Sequence, residues 1–287
     1  MKKQLFLFLL FTLFVGCKKE KEEEVKPNAK VVKACFGYEP NVFNDGEVQF
    51  TNCSENAVSF LWDFGDGDTS SKKEPLHVFS GEFPFSVKLI AYNDKETDTV
   101  MKLVYDAILV KKPNIYIYPV SILDLCLRVS FPMGGNIIES IPNYIDGWCF
   151  NVDKTGRIDN QYNYIFYESK QPDVFQYKQG WCVAKTDLKS FFEKNMAHYN
   201  FSTSEIKDYL DYWIPLLNDK DYYCIFPQTN KIIDRIIQLS FSVNPDHIYR
   251  IFYGVVGTNE YSKIIEPEIK PFNRSGFYVI EWGVFRK

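Results

Sequence analysis

The stretch LWDFGDGDTS, residues 61–70, decides the fold of the first half of this chain. Side chains of a β-strand alternate between its two faces, so Phe60, Trp62 and Phe64 share one face if this segment is a strand. Gly65-Asp66-Gly67 then supplies a tight turn, because glycine adopts positive φ without steric cost and aspartate accepts hydrogen bonds from nearby backbone N–H groups. We therefore predict a strand with a buried aromatic face that ends in a turn.

Further strand-like segments surround this stretch. Turn residues separate them, for example Asn44-Asp45-Gly46 and Asn93-Asp94, at spacings of about 8–12 residues, which is typical of an antiparallel β-sandwich. The segments are VQFTN, SFLWDF, PLHVF, FSVKLIAY and DTVMKLVY.

The order of these segments resembles a known family. WDFGDG at 62–67, EPLHVF at 74–79, Gly81 and FSVKLIAYN at 85–93 together are similar to the PKD domain. The resemblance covers residues 34–110, and we place the end of the domain at residue 111. It implies an immunoglobulin-like β-sandwich of a kind common in extracellular proteins, acting as a rigid spacer or an adhesion module.

The acidic turn admits two chemical alternatives to a structural role. Asp63, Asp66 and Asp68 offer oxygen ligands that would suit calcium, but their spacing differs from the EF-hand pattern. An acid/base pair would need a nucleophile or a cleft, and the surrounding sequence supplies neither. The structural interpretation explains every residue type, and we predict no cofactor.

Two cysteines lie in this first domain. Cys35 opens the first strand and Cys53 closes the second, so antiparallel pairing of neighbouring strands would bring them together. Disulfides are permitted in exported proteins. A Cys35–Cys53 bond closing this loop would contribute on the order of 3 kcal/mol.

The first residues have the pattern of an export signal. Lys2 and Lys3 precede the apolar run 5–15, which is too short to span a bilayer. Gly16-Cys17 resembles the lipobox of bacterial lipoproteins, which implies cleavage before Cys17 and lipidation of its thiol. The alternative is an ordinary secretory signal peptide with a chance cysteine.

The next segment, residues 18–33, is highly charged and contains Pro27, which predicts a disordered linker. Residues 1–17 and this linker together predict an exported lipoprotein of the outer membrane, on its periplasmic or cell-surface face. The formal net charge of −4 argues against nucleic acid as a partner, because binding phosphates needs a basic surface.

Residues 112–287 are predicted to form an α+β domain. One helix begins near Asp187, and a second follows Ser202, where Glu205 completes a capping box. The strand-like segments are NIYIYP, LCLRVSFP, GWCFNV, YNYIFYES, YYCIFP, IYRIFYGVV and GFYVIEWGV.

Four short phrases in this domain resemble a C-terminal domain that recurs in uncharacterised exported bacterial proteins. They are KPNIYIYP from Lys112, DGW at 146–148, YNYIFYE ending at Glu168, and EWG at 281–283. The resemblance implies a grouping and no activity.

The usual catalytic motifs are absent from the sequence. It contains no HExxH, GxSxG or GxxxxGK[ST] pattern, so we expect a binding protein more than an enzyme. Four cysteines of the second domain allow three pairings, which the sequence leaves open. They are Cys126, Cys149, Cys182 and Cys224.

Aromatic residues are dense in the second domain. Exposed tyrosine and tryptophan rings beside polar groups bind sugars or peptides well, because each ring offers a large area at small entropic cost; the competing interpretation is core packing. The predicted binding residues are Trp148, Tyr164, Tyr167, Trp181 and Trp282.

Glu168 and Glu281 each end an aromatic-rich strand. If those strands were neighbours, the two carboxyls could act as acid and base on a glycosidic bond, given the separation such enzymes use. The sequence therefore predicts an envelope lipoprotein that binds a glycan or a protein partner. The alternative is a hydrolase of glycan or peptide that uses Glu168 and Glu281.

Overall fold

The computed structural model describes residues 31–41, 44 and 46–287. The predicted signal peptide, residues 1–17 with Cys17, and residues 18–30 of the predicted linker lie outside the described residues. No helix in the described part of the chain is both long enough and apolar enough to cross a membrane.

The first domain is a sandwich of two antiparallel sheets. One sheet has the strand order β1-β2-β5 and the other has the order β4-β3-β6-β7. The strands are β1 (Phe36–Pro40), β2 (Glu47–Asn52), β3 (Ser59–Asp63), β4 (Thr69–Ser70), β5 (Leu76–Val78), β6 (Phe85–Tyr92) and β7 (Thr97–Val104).

The predicted aromatic face forms the centre of this sandwich. Trp62 and Phe64 are buried, and Phe60 packs against the same interior. Phe50 of the opposite sheet contacts the Trp62 ring with 5.2 Å between ring centroids. The alternation in the sequence therefore predicted the core-facing side of β3 correctly.

The turn after β3 also has the predicted chemistry. Gly65 and Gly67 have φ values of +81° and +104°. The backbone N–H of Gly65 donates to Asp63 at 3.1 Å, and that of Asp68 donates to Asp66 at 3.1 Å. The aspartates thus satisfy backbone groups that the turn leaves unpaired.

Both predicted domain boundaries need correction. Val32, assigned to the linker, is buried, and its N–H donates to Glu96 at 2.9 Å; Lys33 pairs with Glu55. At the other boundary, the strand β8 (Ala107–Tyr118) runs through residues 111 and 112 and pairs along its length within the sheet of the second domain. The sandwich therefore begins at least as early as Val32, and the second domain begins near Ala107.

The second domain has three layers. A central seven-stranded sheet has the order β10-β12-β8-β17-β16-β14-β13, and a small sheet has the order β11-β9-β15. The remaining strands are β9 (Leu123–Ser130), β10 (Asn136–Ile141), β11 (Trp148–Val152), β12 (Ile165–Pro172), β13 (Trp181–Ala184), β14 (Tyr222–Thr229), β15 (Gln238–Phe241), β16 (His247–Thr258) and β17 (Tyr278–Arg286). The helices are α1 (Leu188–His198), α2 (Thr203–Trp213) and α3 (Asn230–Ile236).

Each face of the central sheet has its own hydrophobic core. On one face, which we call the helix face, residues of β8, β14, β16 and β17 pack against α1 and α2. On the other, the small-sheet face, residues of β8, β12 and β17 pack against the small sheet and α3. The helix α2 begins at the predicted capping box, in which the N–H of Glu205 donates to Ser202 and the N–H of Ser202 donates to Glu205.

Two disulfides are present among the described residues. Cys35 and Cys53, the predicted pair, are joined with Cα atoms 4.8 Å apart. Cys126 and Cys149 are joined across β9 and β11. The Sγ atoms of the other two described cysteines, on β13 and β14, lie 3.4 Å apart as thiols.

Candidate binding site

A β-bulge in β8 brings together three of the four phrases noted in the sequence. Between the pairs Lys111–Val284 and Asn114–Trp282, β8 contains two residues and β17 contains only Gly283. The register between β8 and β12 shifts at the same level, and so does that between β12 and β10. KPN, YIFYE and EWG therefore meet along one line across the central sheet.

The bulge directs two consecutive lysines to one side of the sheet. Lys111 pairs with Val284, whose side chain lies in the core on the helix face. Lys112 has a φ of +52°, which is uncommon for a residue other than glycine, and its side chain also reaches the helix face, over Tyr212 of α2. Pro113 fits here because it lacks the N–H that a regular ladder would need. Bulges often redirect a side chain next to a functional site.

The ammonium of Lys112 is packed between aromatic rings. Its Nζ lies 3.7 Å from the centre of the Phe166 ring and 5.2 Å from that of Tyr212. Burial lowers the pKa of Lys112 below its ordinary value, and the charges of Glu168 and other nearby acids partly oppose that shift. A half-buried lysine with a lowered pKa is typical of functional sites.

Three carboxylates surround this lysine. Glu139 of β10 lies directly opposite Glu168 of β12, and Asp208 comes from α2. Burial raises the pKa of Glu168, with a contribution from Glu139, while the Lys111 charge opposes it. Burial also raises the pKa of Asp208, although the hydroxyl of Tyr116 opposes the shift by donating to this carboxylate at 2.9 Å.

Tyrosines complete one side of the site. The rings of Tyr116 and Tyr164 are 5.2 Å apart. Asn114 is fully buried and donates from Nδ2 to the Tyr116 hydroxyl, but its Oδ1 has no hydrogen-bond partner among the described residues. We call this cluster the Lys112 site; it consists of Lys112, Asn114, Tyr116, Glu139, Tyr164, Phe166, Glu168, Asp208 and Tyr212.

The structure corrects three of the predicted binding residues. Trp148 is 4% exposed, and Tyr167 and Trp282 are fully buried. Trp148 and Tyr167 lie in the core on the small-sheet face, whereas Trp282 lies in the core on the helix face. The predicted role as exposed stacking surfaces is therefore wrong for these three residues. Tyr167 and Trp282 are on strands inside the central sheet, which are buried on both faces, and Trp148 is on the small sheet and packs into the core between the two sheets.

The other two predicted binding aromatics are half-buried and lie far apart in the sheet. Tyr164, just before β12, belongs to the Lys112 site. Trp181 is in β13, at the opposite edge of the central sheet from β10, and packs against Phe191 at 5.4 Å. The five predicted residues therefore do not share one surface.

Glu168 and Glu281 are not an acid/base pair. Glu168 interacts electrostatically with Tyr212 on the helix face. The preceding residue, Tyr167, points to the small-sheet face and donates to Glu281 at 2.8 Å. The two carboxyls are thus on opposite faces of the sheet, which rules out the geometry that the hydrolase alternative requires.

Glu281 instead belongs to a buried ion pair. It is fully buried and binds Nε of Arg250, which is 1% exposed. Nη1 of Arg250 also donates to Asp234 at 2.9 Å. A carboxylate enclosed in this way has a structural role, because a substrate could not reach it.

Asp63, Asp66 and Asp68, considered as the calcium alternative, do not come together as a set. Asp63 pairs with Lys88 at 3.0 Å. Asp66 instead contacts Nε2 of His77 at 2.7 Å, and the ligand atoms of Asp66, Asp68 and His77 lie within 4.8 Å of one another. His77 also stacks on Phe64, with 3.9 Å between ring centroids. These contacts explain the residues as parts of the turn.

A family model identifies the first domain. The model described as the PKD domain matches residues 39–105. These residues form a PKD domain. The matched residues include WDFGDG, EPLHVF, Gly81 and FSVKLIAYN, from which the resemblance was inferred.

Two curated proteins show sequence similarity to the chain. It is 53% identical over 38 residues to "Collagenase ColQ1" of Bacillus cereus (strain Q1), which covers 13% of this chain and 4% of that protein. It is 25% identical over 161 residues to "Mitochondrial escape protein 2 homolog" of Dictyostelium discoideum, which covers 54% of this chain and 17% of that protein. The chain therefore spans less than a fifth of the length of either relative.

Two solved structures of single PKD domains are also similar. The PKD1 domain of Vibrio anguillarum Epp has 28% identity and a TM-score of 0.24, covering 26% of this chain and 90% of that one. The PKD1 domain of Vibrio cholerae metalloprotease PrtV has 32% identity and a TM-score of 0.23, covering 26% and 94%.

Sequence reasoning missed Lys112, Asp208 and Tyr212 as site residues. The signal for Lys112 was present, because a proline inside a strand-like segment indicates a bulge or an edge. Asp208 and Tyr212 lie on α2, and their place in the site depends on how that helix packs on the sheet.

Proposed function

We propose that this chain is a lipid-anchored envelope protein whose second domain binds a glycan at the Lys112 site. Lipidation would occur at Cys17, and the PKD domain would act as a spacer between the membrane and the binding domain. The anchor would hold the protein at the outer membrane.

Export is supported by the disulfides and by the first residues. Disulfides persist in oxidising compartments and are rare in the cytosol, and the chain contains Cys35–Cys53 and Cys126–Cys149. The lysines, apolar run and Gly16-Cys17 of the first residues add the pattern of a lipoprotein signal.

The observation that carries glycan binding is the composition of the Lys112 site. Half-buried rings of Tyr164 and Tyr212 lie beside carboxylates that accept hydrogen bonds and an ammonium that donates them. Sugars present hydroxyl groups that both donate and accept, together with apolar C–H faces that pack on aromatic rings. Binding sites commonly combine aromatic walls with a few convergent polar groups.

Two experiments test the proposal. Mass spectrometry of the native protein should find an acylated amino terminus at Cys17 in the membrane fraction; an unprocessed chain in the soluble cell interior would contradict the anchoring. A glycan microarray probed with the full chain carrying Cys17→Ser, which lacks the lipid, should show binding. Absence of binding to every glycan on the array would contradict glycan binding and favour a protein partner.

A further inference from the structure

Two cavities lie near the Lys112 site, at the end of the central sheet where β8 begins. One has a volume of about 490 Å³ and is lined by Leu109, Lys111 and Tyr212 among others. The other has a volume of about 370 Å³ and lies between the PKD domain and the second domain, with Glu39 and Lys170 in its lining. Each volume is in the range of pockets that hold a single small ligand.

The two cavities adjoin each other. Ala107 lines both of them. Lys170, in the lining of the interdomain cavity, lies directly opposite Leu109, in the lining of the other. Tyr212 belongs both to the larger cavity and to the Lys112 site. The two cavities therefore lie next to each other, and the larger one borders the Lys112 site.

The linings of the two cavities are basic although the chain as a whole has a net charge of −4, whereas the neighbouring Lys112 site contains three carboxylates. Among the described residues that line the two cavities, Glu39 is the only acid. It pairs with Lys170 at 3.3 Å, and its side chain is 75% exposed, so this pair contributes little and a ligand carboxylate could replace Glu39. The basic residues in the linings are Lys102, Lys111, Lys170, Arg286 and Lys287. Of these, Arg286 and Lys287 are paired with Asp219 and Asp173 outside the linings.

We propose that the two cavities form one groove that binds a polysaccharide chain carrying carboxylate groups. The inference rests on the proposed glycan binding and extends it from a single sugar to a chain. Sugar carboxylates would contact Lys170, which lies opposite Leu109, and Lys111, two positions further along β8. Ring faces and hydroxyls would contact the Lys112 site, which lies beyond Lys111.

Calorimetric titration of the full chain carrying Cys17→Ser tests this with oligosaccharides of increasing length. The carboxylated probes are galacturonate, mannuronate and hyaluronan series, from the shortest unit to the octasaccharide, with neutral galacto-oligosaccharides of equal length for comparison. Lys111→Gln and Lys170→Gln each remove one charge from the groove. Lys263→Gln is the matched control, because Lys263 is exposed and lines neither cavity.

We expect affinity for at least one carboxylated series to rise with length and to exceed that for the neutral series. Each groove variant should bind the long oligomer about tenfold more weakly, since a hydrogen bond to a charged group is lost, while the control should bind as the wild type does.

If the shortest unit binds as tightly as the octasaccharide, the groove is overturned and glycan binding stands. If neutral and carboxylated chains bind equally, the charge assignment is overturned. If no glycan binds the wild type, both proposals fail.

Discussion

Lys112 holds its ammonium 3.7 Å from the centre of the Phe166 ring, one position before a proline in a bulged strand. Burial lowers the pKa of this lysine, and the charges of Glu168, Glu139 and Asp208 oppose the shift. The balance between burial and the three acids therefore sets its protonation.

We predict that Lys112 titrates below its ordinary value of 10.5 and that Glu168→Gln lowers the midpoint further. Among the three acids, Glu168 favours the ammonium most strongly, so removing its charge weakens that support while burial remains. NMR titration of the Lys112 side chain, in the wild type and the variant, measures both values. A midpoint that rises in Glu168→Gln would show that the two side chains do not interact as described.

The ion pair of Arg250 and Glu281 should be essential to the second domain. Arg250→Met leaves a buried carboxylate without its partner, which costs about 3–5 kcal/mol of unfolding free energy. Arg286→Met is the matched control, because Arg286 pairs with Asp219 at the surface and such pairs contribute about 0–1 kcal/mol. Urea denaturation measures both. If the two variants lose equal amounts of unfolding free energy, the buried position of the Arg250–Glu281 pair is contradicted.

Cys182 and Cys224 should form a third disulfide in the exported protein. They are directly opposite each other in β13 and β14, with Sγ atoms 3.4 Å apart. Cys126 and Cys149 hold the same directly opposed register and are bonded. Thiol titration of purified, unfolded Cys17→Ser protein should therefore find no free thiol. Two free thiols per chain would contradict the prediction.

The turn after Trp62 offers a matched pair of glycine substitutions. A Cβ on Gly65 would lie 2.6 Å from the carbonyl oxygen of Ser86, whereas one on Gly67 would meet no atom within 4 Å. Gly67→Ala should cost about 1–2 kcal/mol, because its backbone is left-handed, and Gly65→Ala should cost more. Hydrogen exchange at the Trp62 indole N–H, which donates to Lys72, reports the stability of the PKD domain in each variant. Equal protection in the two variants would contradict this account of the turn.

The PKD domain could be predicted closely from sequence because the patterns that specify its strands and turns involve residues close together in the chain. Period-2 alternation identified the buried face of β3, and the glycines and aspartates identified the turn. The same reasoning placed α2 through its capping box at Ser202. These features depend on neighbours within a few residues.

The second domain could be predicted only in part because its sheet is buried on both faces. Alternation then does not distinguish core positions from surface positions, which is why the sequence wrongly predicts a binding role for Trp282 and leaves a catalytic alternative open for Glu281. The pairing of β17 between β8 and β16 also depends on contacts distant in sequence. Asp208 reaches Tyr116 across 92 positions, which no local pattern encodes.

The affinity of site variants for a bound glycan tests the central claim most directly. For the highest-affinity ligand found on the array, calorimetry should show that Tyr212→Ala and Glu139→Gln each bind about tenfold more weakly than the wild type, because each removes a ring or a hydrogen-bond acceptor from the Lys112 site. Tyr261→Ala, at a 62% exposed tyrosine outside the site, should bind like the wild type. Unchanged affinity in both site variants, or an equal loss in Tyr261→Ala, would contradict the assignment of glycan binding to the Lys112 site.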